Sequence, residues 1–243
     1  MRRLSAIFLT LLVAVALSGL LYAQSAGHSV FQVSTYHALK QGILEGETSF
    51  RELRKHGDFG IGTLNGLDGE MAALNGEFFQ IKADGRVHSI ADDERTPFAV
   101  VTFFRSDKKV SLPRINNMKE LQSALERIQA NGDGVFAIKV SANFQYVKAR
   151  SVPRQEKPYP ALEEALKHQT EFELKDVQGT LVGFRFPKFM DGVNVPGDHF
   201  HFITDDKRAG GHVLDCRVDN ANLEVAVISN LSLRLPRQEK VSK

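Results

Sequence analysis

A single cysteine, Cys216, among 243 residues excludes any internal disulfide framework, so packing, with or without a metal, has to hold the fold. Charge of one sign is missing too. The 31 basic residues outnumber the 29 acidic ones only through Arg2 and Arg3, which lie in a segment of different character; without it the balance is 29 against 29. A chain without net charge offers no case for a nucleic-acid partner or for an acidic membrane surface. Internal repeats and low-complexity linkers are absent, and a hydrophobic content of 42% is that of an ordinary globular protein with a real core.

Long apolar runs are missing beyond residue 26. The one such run, Ala6 to Leu21, follows Arg2 and Arg3 and precedes small residues at Ala23, Ser25 and Ala26, which is the layout of a secretory signal peptide. Its 16 residues fall short of the roughly 20 that a membrane span needs, and no cysteine follows to carry a bacterial lipid anchor. Residues 1–26 are therefore expected to be removed by cleavage between Ala23 and Gly27. The remainder, 27–243, is expected to be one exported unit, periplasmic or secreted, with no stable membrane association.

Along that unit, the alternation of Val30, Gln32 and Val33 predicts a first strand running from His28 towards Lys40 and a turn near Gly42. Ser49 and Glu52 form a capping box for a short helix over about 50–56, which Gly57 stops. Asn75-Gly76 between apolar runs is a two-residue hairpin signal, and pairing about it sets Glu70 near Ile81. Glu70 alone, at the mouth of an apolar strand, reads as a solvated strand end. The run 96–104 predicts a central strand buried on both faces. Met118, Leu121, Leu125 and Ile128 recur at helical spacing within 117–130, and this apolar stripe is core. Residues 134–150 read as two strands about a bend near Asn143, with Lys139, Lys148 and Arg150 as ordinary strand-face charges. A short helix over 161–169 and strands over 179–186 and 223–235 complete the pattern. Strands, hairpins and short helices in this order predict an α/β or mixed α+β fold, with two β-sheet-based subdomains and largely antiparallel or mixed sheets.

The stretch that carries chemistry is GDHFHFITDDKRAGGHVLDC (197–216), where three of the eight histidines fall close together. On a strand His199 and His201 project to one face about 6.6 to 6.8 Å apart at their Cα atoms. The polar, glycine-ended run 205–211 can reverse the chain and return His212. Its imidazole joins the other two only if His212 lies opposite or diagonal to residue 199, 201 or 203, since a slip of one residue sends it to the other face. Hydrogen-bonded histidines on a polar sheet face are the plain reading of one imidazole, and a much weaker one of HxH plus a third across a turn. Three neutral imidazoles suit zinc and leave a fourth position for water or substrate, the catalytic arrangement; a structural site would be closed by a fourth ligand, and Cys216, two strand steps from His212, is available on the same face.

Three segments, HGDFGIGTLNGLDGEM (56–71), YVKARSVPRQEKPYP (146–160) and GDHFHFITDDKRAGGHVLD (197–215), together resemble the acetolactate decarboxylase family, over about residues 28 to 243. The resemblance implies a two-domain α/β build around one zinc per chain, held by His199, His201 and His212. It places the family's glutamate of the LDGE motif on Glu70, its arginine before SVPRQ on Arg150, and the threonine of GIGT on Thr63 at the substrate. Family members also bring a C-terminal glutamate to the metal. Glu239 is the nearest counterpart here, with no motif to anchor it.

The residue types suit that reaction, the conversion of 2-acetolactate to acetoin and CO₂. Decarboxylation leaves negative charge on the adjacent carbonyl as an enediolate, and the site then needs an electron sink and a proton donor. Arg150 is always cationic and could hold the carboxylate, while Glu70, if burial keeps it partly protonated, could deliver the proton. Other classes share the three-histidine signature. A metal-hydroxide hydrolase or hydratase needs a base beside bound water, and an exported metal- or ligand-binding module needs neither Glu70 nor Arg150 at the metal. The expected partner is a small hydroxy-keto acid, and the expected assembly a homodimer.

Overall fold

The computed structural model describes residues 28–128 and 133–236. The expected signal peptide and Glu239 lie outside the described residues. In chain order the elements are β1 (His28–Val33), α1 (Tyr36–Lys40), β2 (Thr48–Ser49), α2 (Phe50–Leu53), β3 (Phe59–Thr63), β4 (Glu70–Leu74), β5 (Glu77–Ile81), β6 (Val87–Ser89), β7 (Arg95–Thr96), β8 (Ala99–Thr102), β9 (Lys108–Leu112), α3 (Met118–Ile128), β10 (Val135–Ser151), α4 (Leu162–Leu166), β11 (Thr170–Phe186), β12 (Gly197–Thr204), β13 (Gly210–Val218) and β14 (Ala221–Arg234).

This is the mixed α+β fold expected, mostly strand with a few short helices. Twelve strands form one sheet in the order β11-β12-β13-β10-β14-β1-β8-β3-β4-β5-β6, with β9 on β14 and β10 returning to β11. Nearly all neighbours are antiparallel, whereas β1 runs parallel to β14 and so joins the two ends of the described chain. The ring β10-β11-β12-β13 closes on itself around Phe144, Val147, Phe200 and Phe202, and α3 covers it with Leu121 and Leu125. A second cluster packs α2 against β1, β4, β5 and β8 through Phe31, Phe50, Leu53, Met71, Phe78 and Val101. A third joins the two halves along Phe59, Val100, Val182 and Phe184.

Several local readings hold. Ser49 caps α2, accepting a hydrogen bond from the Glu52 amide, although the helix ends at Leu53 rather than near residue 56. Asn75 and Gly76 both have positive φ, 54° and 83°, the turn that a twisted two-residue hairpin requires, and Glu70 pairs with Ile81. β8 is central, hydrogen-bonded to β1 on one side and β3 on the other.

Others are corrected. The first strand stops at Val33; Ser34 turns with φ 62° and the Thr35 hydroxyl caps a helix at 36–40. No bend divides 134–150, because β10 runs unbroken for 17 residues and absorbs its irregularity as a bulge between Phe144 and Tyr146. β11 begins at Thr170 rather than Gly179, its charged first half paired with β10 and seated on the core by Phe172, Leu174 and Val177.

Candidate metal centre and active site

β12 and β13 pair with His201 directly opposite His212, which meets the register condition for three imidazoles on one face. Their ligand nitrogens all lie within 4.8 Å of one another. His199 Nε2 and His212 Nδ1 are 3.1 Å apart, and two nitrogens sharing one tetrahedral zinc at about 2.0–2.1 Å would stand roughly 3.3 Å apart.

The tautomer of His201 follows from its partner. Its Nδ1 lies 2.7 Å from the Met71 carbonyl oxygen, which only accepts, so Nδ1 carries the proton and Nε2 presents a lone pair. Buried Nε2 of His201 and Nδ1 of His199 have no hydrogen-bond partner. Burial holds all three imidazoles neutral, His201 down to about 4 and the other two well below the ordinary range, with Arg150 adding to the effect. The orphaned His201 Nε2, together with His199 Nε2 and His212 Nδ1 facing each other on neutral imidazoles, fits a divalent metal.

Cys216 takes no part. Leu214 is an extra residue in β13 opposite β10, and this bulge reverses the alternation after Val213. Cys216 thus faces the apolar cluster with Val147 and Val213, away from His212, and burial pushes its thiol up to about 12. The expected same-face placement assumed a regular strand.

The remaining chemistry comes from the other half of the sheet. Glu70 opens β4 beside Met71, so the hydrogen bond from His201 ties the imidazole to the strand that carries the acid. Glu70 Oε2 lies 3.4 Å from His201 Nε2, and Oε1 lies 3.8 Å from Arg150 Nη1. Far from being a solvated strand end, Glu70 is 8% exposed. Burial raises its carboxyl to about 7, against the opposing pull of Arg150. Arg150, directly across the ladder from His212, is likewise no ordinary strand-face charge: it is largely buried, and its Nη1 makes no hydrogen bond. Thr63, opposite Glu70 on β3, lines the same cavity but donates its hydroxyl proton to the Gly69 carbonyl at 2.6 Å, leaving the oxygen as an acceptor.

These groups form the polar floor of a cavity of about 370 Å³ whose walls are apolar: Leu39 from α1, Leu67 and Phe98, Val152, and Leu162 and Leu166 from α4. Met118 and Gln122 contribute from α3, and Tyr36 from α1. Sequence reasoning missed Ser151, whose buried hydroxyl donates to the Ile81 carbonyl at 2.8 Å and ties the strand of Arg150 to the strand paired with Glu70. Its place beside Arg150 in SVPRQ was the only signal. It also missed the Met71 carbonyl, which no side-chain motif reveals, and Asp198, buried in a paired contact with Arg185 across the β11–β12 ladder at 2.7 Å.

The chain is 46% identical over 214 residues to an alpha-acetolactate decarboxylase of Methanosarcina mazei, covering 88% of this chain and 74% of that protein. It is also 46% identical over 209 residues to the one of Methylococcus capsulatus, covering 86% and 80%. The crystal structure of alpha-acetolactate decarboxylase from Bacillus subtilis superposes with a TM-score of 0.84 at 35% identity, over 86% of this chain and 90% of that one. The sequence profile described as Alpha-acetolactate decarboxylase matches residues 30–243, and the chain belongs to this family of carboxy-lyases.

Proposed function

We propose that the protein decarboxylates 2-acetolactate to acetoin, with one zinc ion held by His199, His201 and His212. The observation that supports this reading most is the meeting, at three converging neutral imidazoles, of a buried Glu70 and an Arg150 whose Nη1 makes no hydrogen bond. A divalent ion bound there supplies Lewis acidity toward the substrate's hydroxyl and keto oxygens.

The chain's own residues do the rest. Arg150 Nη1 receives the carboxylate before cleavage and the negative charge of the enediolate afterwards, a contact that strengthens as charge develops. When the C–C bond breaks, CO₂ leaves and its electron pair stays on the carbon of the enediolate. Glu70, whose carboxyl burial biases toward its protonated form, delivers that proton to the carbon and is reloaded from water. The apolar walls take the methyl groups and keep bulk water away from the carbanionic carbon. Thr63 accepts a hydrogen bond from the substrate with the oxygen its own donation leaves free.

We further propose export as a unit of about residues 27–243 after loss of the leader, and assembly as a homodimer; sedimentation of the purified protein checks the latter. The function is tested by giving metal-loaded protein acetolactate and measuring gas and acetoin together. Equal amounts of both support the reading, and hydrolysis of esters with no CO₂ from acetolactate would overturn it in favour of a metal-hydroxide hydrolase.

A further inference from the structure

The first turn of α3 reaches the active-site cavity, yet nothing at its N-terminus is in the metal centre. Asn117 accepts from the Glu120 amide, and Glu120 reaches back to the Asn116 amide, so the helix carries its own local cap. The Met118 N–H is not served by that cap. It donates instead to Asp215 Oδ1 at 2.7 Å, across 97 residues, and the same oxygen accepts from the Cys216 amide at 2.9 Å. Asp215 follows the Leu214 bulge, three residues past His212. Met118, Gln122 and Leu214 all line the cavity.

We propose that Asp215 is a positioning residue: it fastens the first turn of α3 to the strand that carries His212, so that Met118 and Gln122 form one wall of the substrate cavity. Asp215 touches neither the imidazoles nor the reacting atoms. It governs how tightly the small hydroxy-keto acid is held, and the proposal rests on the decarboxylase reading for the identity of that acid.

The test compares metal-loaded parent, Asp215→Ala and Asp215→Asn. Alanine leaves the Met118 N–H without an acceptor, whereas the asparagine amide oxygen can still accept from both amides. Asp215→Ala should keep one metal per chain and raise KM for acetolactate by about tenfold with kcat within about twofold, since only binding is loosened. Amides 118–122 should exchange faster with deuterium in this variant, and Asp215→Asn should restore both readouts. Should the alanine variant fail to fold, Asp215→Ser, with a hydroxyl one bond short of the carboxylate oxygen, carries the same measurements. Parent KM and parent exchange in the alanine variant would overturn the proposal, as would metal loss or an asparagine variant equally impaired. If the parent itself forms no acetoin, the functional reading fails while the exchange experiment still decides the anchor.

Discussion

At the residue scale the account turns on Glu70 and Arg150, two charged side chains that the fold removes from water. Glu70→Gln leaves the imidazoles untouched and removes the ionisable proton. Metal content should stay at the parent level while turnover falls by about 10² or more, read by elemental analysis and acetoin assay. Arg150→Lys keeps the charge but loses the planar fork, and should be impaired in kcat rather than in KM alone. Glu70 also carries a pH signature. Its carboxyl is protonated up to about 7 in the fold and up to 4.5 as an ordinary glutamate. Between those values the folded state binds more protons, so Glu70's share of stability is present at low pH and lost as pH rises. In chelator-treated protein, Glu70→Gln should gain on the parent by on the order of 3 kcal/mol from pH 4.5 to above 7, measured by urea unfolding. His199 and His201 were legible from the i, i+2 spacing of a strand, whereas His212 joins them through the β12–β13 register, which the sequence permitted without fixing. The burial of Glu70 was not legible, since His201 on β12 and Arg150 on β10, both distant in sequence, close over it.

At the element scale the turn before β4 decides where Glu70 sits. Gly69 has φ 77°, and a Cβ there would meet the Ile81 carbonyl oxygen at 2.2 Å. Gly76, in the hairpin turn at the other end of β4, has φ 83° with open space around it. Gly69→Ala should therefore displace the strand, costing about 2 kcal/mol or more and most of the activity. Gly76→Ala should cost only about 1 kcal/mol and leave the activity in place, and thermal melts with acetoin assays separate the two. The same scale shows where pattern reading succeeds and fails. Helix N-caps and Asn-Gly turns are local chemistry, and Ser49 and Asn75-Gly76 act where the residues put them, although the Glu52 carboxylate turns to Lys55 and His56 instead of closing the box. A bend was expected near Asn143, whereas β11 pairs along almost all of β10 and keeps it extended. The Leu214 bulge reverses a face through pairing with β10, which no local rule registers.

At the scale of the whole molecule the site is a seam. His201 and Met71 are 130 residues apart, and Arg150 and Glu70 come from opposite halves of one sheet. Strand-and-helix content announced the mixed class, but strand order, including the parallel pairing of β1 with β14, depends on contacts between distant segments. Burying three imidazoles together makes the chelated protein acid-labile. The fold holds His201 at about 4 and His199 and His212 well below 6.5, so the unfolded chain binds more protons; stability present above pH 6.5 is lost as pH falls toward 4. Circular-dichroism melts across that range should show it. Outside the described residues, mass spectrometry of protein from the native host should find a start between Ala23 and Gly27, and an intact Met1 would mean that the leader is kept. The most direct test of the whole account is to titrate chelated protein with zinc while following acetoin formation from acetolactate. Activity should rise linearly and level off at one ion per chain, and His201→Ala should gain none; full activity in the chelated protein, or in that variant, would contradict a decarboxylase built on these three histidines.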